Sequence, residues 1–230
     1  MGILYIVSTP IGNLGDITKR SLAIFEKVKI VVCEDTRKTG LLFKLLDIEN
    51  KPKFISFYNE VEDMKINMVL DLLMRGNEVI LVSDAGTPLI SDPGFKLVRE
   101  CKKNNIEVIS LPGPSAVLAA LTSSGLPSDK FIFLGYLPKK KNNRKKLLMD
   151  IKTWQETYLQ LKSTIIFFET PHSLIKTLDE LMIIFGDIQI ALAKELSKLH
   201  EKTTLGKITD LKKDLKVPKG EYVVLFNLGV

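Results

Sequence analysis

The chain has 230 residues, 45% of them hydrophobic and 26% charged, and a formal net charge of +6. This length allows one large domain or two smaller ones with a sizeable core, and the composition is that of a globular protein, not a disordered or fibrous one. No apolar run reaches the roughly 18 residues of a membrane helix. The opening residues, MGILYIVSTP, lack the basic start and small-residue cleavage site of a signal peptide. Together these features predict a cytoplasmic protein with no membrane partner.

In chain order, Leu4–Ser8 reads as a first strand, with Thr9-Pro10-Ile11-Gly12-Asn13 as the loop at its carboxyl end. Residues 17–27 place Ile17, Leu22, Ile24 and Phe25 on one helical face. Ile30–Cys33 is a second apolar strand ending in Glu34-Asp35-Thr36-Arg37. A helix over 39–46 follows, with Leu41, Leu42, Leu45 and Leu46 as its apolar stripe. Phe54–Phe57 is a third strand, followed by Tyr58-Asn59-Glu60, and Met64–Met74 is a helix that stops at Arg75-Gly76-Asn77.

The stretch 78–95, EVILVSDAGTPLISDPGF, organises the chain. Val79–Val82 is an unbroken apolar run, as in a strand buried on both faces of a parallel sheet. It then spills into a loop rich in turn-forming Asp, Gly and Pro. Ligands of open α/β sheets bind outside the carboxyl ends of strands. Asp84 stands at such an end, and Ala85 and Gly86 let a ligand approach the backbone. A helix through Leu97 and Val98 and a strand at Val108–Leu111 complete the first half. Strands alternating with helices at this spacing predict a parallel α/β sheet.

Pro112-Gly113-Pro114 punctuates the chain and divides it into an N-terminal α/β domain, 1–111, and a C-terminal one, 112–230. After it come a small-residue helix (116–121), a strand at Phe131–Leu134 and a basic segment. One long helix is predicted over 144–161, with Leu147, Leu148, Ile151, Trp154 and Tyr158 inward. A strand at Thr164–Phe168, a helix over 174–185, a strand over 188–193, the stretch Lys194–Glu201 and an antiparallel strand within Gly220–Leu228 imply a mixed second sheet.

Cys33 and Cys101 lie far apart, and with only two histidines a Cys/His metal site is not expected. The two read as structural thiols in a reducing compartment. No G-x-G-x-x-G follows the first strand, and neither G-x-x-x-x-G-K-[ST] nor G-x-S-x-G occurs, so dinucleotide, Walker-type and hydrolase readings lose their main support. His172 reads as a residue that caps or packs near a helix start. Residues 139–146, KKKNNRKK, hold six positive charges and no acid, so the rest of the chain is neutral overall. So concentrated a charge predicts an anionic partner at one surface.

The polar strand ends lie in motifs whose order is more specific than any one of them. LYIVSTPIGNLGDIT, CEDTRKTGLL, VSDAGTPLISDPG, LPGPSAVLAAL, FLGYLPKK, FFETPH and KELSKLHE together resemble the ribosomal RNA small subunit methyltransferase I family, a branch of the tetrapyrrole-methylase-like (class III) methyltransferases. The resemblance runs from Leu4 to about Glu201. It implies two α/β domains of tetrapyrrole-methylase-like fold with S-adenosyl-L-methionine in the cleft between them, and a homodimer. It also implies methylation of a ribose 2′-hydroxyl of a cytidine in the decoding region of 16S ribosomal RNA, free or in the 30S subunit. Carried over by motif, Pro10, Asp84, Ala85, Gly86, Ser115, Ala116 and Leu134 line the cofactor pocket. Two positions depart from the family pattern: Tyr58, where a His-rich stretch is expected, and Ser173, where Arg usually follows Pro-His.

The chemistry agrees with this. Methyl transfer from a sulfonium is mainly a positioning task, and a weakly acidic 2′-hydroxyl needs a base. Asp35 and Glu34 are the acids best placed for that, with Arg37 able to bind a phosphate; Asn13 and Asp16 are weaker candidates. The competing reading of EDTR is a helix cap. Lys139, Lys140, Lys141, Arg144, Lys145 and Lys146 are the expected RNA contacts. A tetrapyrrole methyltransferase and a non-catalytic RNA-binding ribosome assembly factor remain the alternatives.

Overall fold

The computed structural model describes residues 1–215 and 217–229. The chain divides into two compact units, Met1–Ser115 and Ala116–Val230. The Pro112-Gly113-Pro114 turn lies within the first.

In the first unit β1 (Ile3–Val7), α1 (Lys19–Lys27), β2 (Ile30–Cys33), α2 (Thr36–Leu45), β3 (Lys53–Ser56), α3 (Glu62–Met74), β4 (Val79–Val82), α4 (Phe95–Lys103) and β5 (Glu107–Leu111) alternate along the chain. The five strands form one all-parallel sheet in the order β3-β2-β4-β1-β5. The apolar runs of β1, β2 and β4 are continuous because both faces of the sheet are covered. Leu4, Ile6, Val32, Val79 and Leu81 pack against Ile66, Val69, Leu73, Leu97 and Cys101 of α3 and α4. The alternate residues Tyr5, Val7, Val31, Cys33, Ile80 and Val82 pack against Phe25 and Phe43 of α1 and α2. Burying each large aliphatic side chain contributes about 1.5–3 kcal/mol. Because all strands run the same way, all five carboxyl ends emerge at one edge.

In the second unit α5 (Ala116–Ser123), β6 (Phe131–Tyr136), α6 (Lys141–Thr157), β7 (Thr164–Glu169), α7 (Pro171–Phe185), β8 (Gln189–Lys194), β9 (Lys202–Lys207), α8 (Ile208–Asp214) and β10 (Tyr222–Phe226) build a mixed sheet, β6-β7-β10-β8-β9. β6 and β7 are parallel and the other pairings antiparallel. The last strand is inserted at the centre, and all five of its residues are buried.

Three local expectations change. The apolar stripe of α2 is only partly leucine: Leu46 packs against the core at the helix end and Leu42 is half-buried, but Leu41 and Leu45 are exposed, while Thr39 and Phe43 are buried. Phe43 sets the face, its ring centroid 4.7 Å from that of Phe25 and 5.3 Å from that of Phe54. The helix expected over 144–161 spans Lys141–Thr157 and ends before a separate 3-10 turn at Leu159–Leu161, leaving Tyr158 exposed. β9 and α8 were not foreseen; β9 is a polar edge strand (KTTLGK) with no apolar run to betray it.

Candidate active site

The loops at the carboxyl edge of the first sheet are stitched together. Thr9 and Gly86 exchange backbone hydrogen bonds, N–H to O at 2.9 and 3.0 Å, tying the β1 loop to the β4 loop. Ser8 Oγ lies 3.0 Å from Thr87 Oγ1, and Thr87 Oγ1 donates to the Pro114 carbonyl at 3.1 Å. Ser8 Oγ also lies 3.4 Å from the Leu111 carbonyl, so its one proton serves either Thr87 or Leu111, and the β5 loop joins the same web. Gly113 permits this approach: a Cβ there would stand 2.8 Å from Ser8 Cβ. Gly86, at φ +81°, has a left-handed backbone, and a Cβ on it would lie 3.4 Å from Ile11 Cγ2 and 3.9 Å from the Pro114 oxygen. That side chain would fill the gap between the β1 and β5 loops.

The β4 loop is strained as well as stitched. Leu89 and Ser91 sit at φ +72° and +70°, a region that costs side-chain-bearing residues of order 1–3 kcal/mol each and is held only where the surroundings over-determine it. Here Glu62, almost fully buried, accepts the Gly94 N–H at 3.1 Å at the start of α4. A carboxylate suits the positive end of a helix.

The candidate acids separate clearly. Asp35 caps α2, accepting the Arg37 N–H at 2.9 Å, and its carboxylate is chelated by Arg37 Nε at 3.1 Å and Nη2 at 2.7 Å. The hydrogen bonds from Arg37 hold its pKa well below the usual carboxylate range. Such a group is a poor base, so the expectation that Asp35 takes a proton loses its physical support. Glu34 goes the other way. Burial raises its pKa and the nearby Asp92 and Asp84 raise it further, against the hydrogen bond it accepts from the Asp84 N–H at 3.1 Å. Burial also raises Asp92. Lys38, which the sequence reading passed over, donates to Asp84 Oδ2 at 2.6 Å and links α2 to the β4 loop. Its place in the first turn of α2, one helical turn after Glu34, was the available signal.

In the second unit the basic segment divides. Lys139, Lys140, Lys141, Lys145 and Lys146 are exposed. Arg144 is buried: its guanidinium grips Glu180 through Nε at 2.5 Å and Nη2 at 2.7 Å, and Nη1 donates to the Pro138 and Lys139 carbonyls. Arg144 is therefore removed from the set of RNA contacts, since every donor group of its fork is engaged inside the protein. Leu134, within β6, packs its side chain against the core of the second sheet. Ala116 opens α5. Among the described residues no three His, Cys, Asp or Glu groups gather to hold a metal ion, and no helix is long and apolar enough to cross a membrane. Cys33 and Cys101 are buried and free, and burial pushes the Cys101 thiol up to about 11.

The profile of the tetrapyrrole (corrin/porphyrin) methylases matches residues 3–212. The fold is similar to that of solved methyltransferases. Cobalt precorrin-4 methyltransferase superposes with a TM-score of 0.66 at 18% identity, over 97% of this chain and 94% of that one. Uroporphyrin-III C-methyltransferase from Thermus thermophilus, solved with S-adenyl homocysteine, gives 0.63 at 14% identity over 97% of each chain. Two α/β units with these stitched loops thus define a protein of the tetrapyrrole methylase class, whose members are S-adenosylmethionine-dependent methyltransferases.

Within that class the relatives are nearer. The ribosomal RNA small subunit methyltransferase I of Thermotoga maritima is 42% identical over 99% of both chains. That of Hydrogenobaculum sp. is 41% identical over 97% of this chain and 95% of its own. The chain belongs to the ribosomal RNA small subunit methyltransferase I family.

Proposed function

We propose that this chain transfers a methyl group from S-adenosylmethionine to small-subunit ribosomal RNA, at the ribose 2′-hydroxyl of a cytidine in the decoding region. The observation that carries this reading is the end-to-end match, at about two residues in five, to relatives named for methylating that RNA. The loop web fits the cofactor: Gly86 leaves room beside the β4 loop that a side chain would take, Gly113 lets the β5 loop close onto Ser8, and Asp84 presents a carboxylate at the same strand end.

When bound, S-adenosylmethionine supplies an electrophilic methyl carbon on a sulfonium sulfur. Asp84 holds its polar groups as a charged acceptor, with Pro10, Ala85, Gly86 and Ser115 completing the contacts of the first unit. Ala116 and the Leu134 backbone are further proposed cofactor contacts. Glu34 would accept the 2′-hydroxyl proton, since burial and the neighbouring Asp92 and Asp84 raise its proton affinity above that of an ordinary glutamate. Asp35 fixes Arg37, whose Nη1 is not used in that chelate and is left for a phosphate. The exposed lysines at 139–141 and 145–146 meet the RNA backbone. Lys140 and Lys141 open α6 with no side-chain cap, against the helix dipole, and a polyanion offsets that repulsion. The family resemblance also leads us to infer a homodimer, measurable by light scattering.

Labelled S-adenosylmethionine offered with small subunits lacking the modification and, separately, with a tetrapyrrole acceptor tests the acceptor class. Label is expected in RNA alone. Label in the tetrapyrrole, or binding of RNA with no transfer, would overturn the reading in favour of a macrocycle methylase or an assembly factor.

A further inference from the structure

The edge strand β6 carries a bulge with a consequence for one side chain. Phe133 pairs with Ile166 and Tyr136 with Phe168, so three steps along β6 answer two along β7. Side chains alternate between sheet faces, and one extra residue moves every later side chain to the other face. Ile132 and Leu134 pack on the helix-covered core face, together with Ile165 and Phe167. Without the bulge, Tyr136 would follow them there. Gly135, at φ +65°, supplies the extra residue. Leu137 takes the core place instead and is buried.

Tyr136 is thereby turned to the face of Phe133 and Phe168, where it stays 61% exposed. Its ring is braced by Phe168, centroids 5.5 Å apart at 61°, and Phe168 is braced by Phe133 at 4.9 Å and 66°. These near-perpendicular contacts fix the ring by its neighbours. Three residues on, within about 10 Å of chain, Lys139, Lys140 and Lys141 begin the basic segment, all exposed and none in an ion pair among the described residues. The backbone that presents them is locked, because buried Arg144 binds the Pro138 and Lys139 carbonyls while Glu180 holds Arg144.

A fixed, exposed aromatic ring followed at once by a positively charged track is the pattern that holds single-stranded nucleic acid, by base stacking and phosphate contact together. We propose that Tyr136 is a stacking surface for an unpaired base of the RNA substrate, with the neighbouring phosphates held by Lys139, Lys140 and Lys141. The proposal rests on the reading of this chain as an RNA methyltransferase, and it commits the ring to RNA rather than to the adenine of the cofactor.

The test is equilibrium binding of a short unstructured RNA containing 2-aminopurine, whose fluorescence is quenched by stacking. Tyr136→Ala and Tyr136→Leu are expected to weaken binding by about 5- to 150-fold and to lose the quench, and Tyr136→Phe to keep both. The Leu variant retains an apolar contact with Phe168, so it separates stacking from packing. S-adenosylmethionine affinity, measured by calorimetry on the same preparations, is expected to stay unchanged. Parent-like RNA binding by Tyr136→Leu overturns the proposal, as does cofactor affinity that falls while RNA binding holds. If the parent protein binds no RNA and methylates none, the functional reading falls and takes the proposal with it. Normal methylation by Tyr136→Leu with unchanged RNA affinity overturns the stacking surface alone.

Discussion

Replacing Glu34 by Gln separates proton transfer from architecture. Gln is isosteric and still accepts the Asp84 N–H that Glu34 accepts at 3.1 Å, so the link between the β2 and β4 ends survives. What is lost is the basic oxygen. A positioned general base contributes about 10²–10⁴ in rate, and single-turnover methyl transfer at saturating cofactor is expected to fall by that much. Stability goes the opposite way. Folding raises the pKa of Glu34 above 4.5, chiefly through burial. The folded state therefore loses stability as pH rises through that raised value, and the loss is absent below the unfolded value. Glu34→Gln should melt above the parent at neutral pH, and the difference should vanish as pH falls toward about 4.5, the ordinary value of a glutamate. The parent's rate should decline with acid below the pKa of Glu34, while the variant's residual rate stays flat. Asp35→Asn is the control. Asn caps a helix as well as Asp but loosens the hold on Arg37, so at saturating RNA its single-turnover rate should stay within about threefold of the parent while its RNA affinity falls. A parent-like rate in Glu34→Gln, or the large loss in Asp35→Asn instead, would refute the assignment of the base.

Three further outcomes follow from the same geometry. Arg144→Ala strands Glu180 in a buried place and should cost about 3–5 kcal/mol by chemical denaturation, with much of it recovered when both residues become Met. Gly113→Ala forces a Cβ to within 2.8 Å of Ser8 Cβ and should weaken S-adenosylmethionine binding in calorimetry more than it lowers the melting temperature. Replacing Lys139, Lys140 and Lys141 together by Gln should weaken RNA binding and flatten its salt dependence while leaving the methylated position unchanged, because phosphate contacts position the RNA without reading its sequence.

The parallel architecture was legible because β1, β2 and β4 are buried on both faces and so read as unbroken apolar runs. The carboxyl-end loops were legible because Gly and Pro mark them. The central place of β10 was not, since antiparallel insertion between β7 and β8 is a long-range event with no local trace. Nor was the burial of Arg144: in a run of lysines it reads as one more surface cation, and only Glu180, 36 residues on, reveals its role. Glu34 and Asp35 are adjacent and chemically alike in sequence. What distinguishes them is spatial, the Arg37 fork on one and burial beside Asp92 on the other. Tyr136 was visible as a residue but not as a surface, because the bulge that turns it outward exists only in the register of β6 against β7.

The central claim is that the acceptor is a ribose oxygen of small-subunit RNA. The most direct measurement is to methylate unmodified small subunits with isotope-labelled S-adenosylmethionine, digest the RNA to nucleosides and locate the label by mass spectrometry. The account predicts a single labelled nucleoside, a cytidine carrying the methyl group on its ribose. A methyl group on a base, or no label in RNA under conditions where the cofactor is bound, would contradict it.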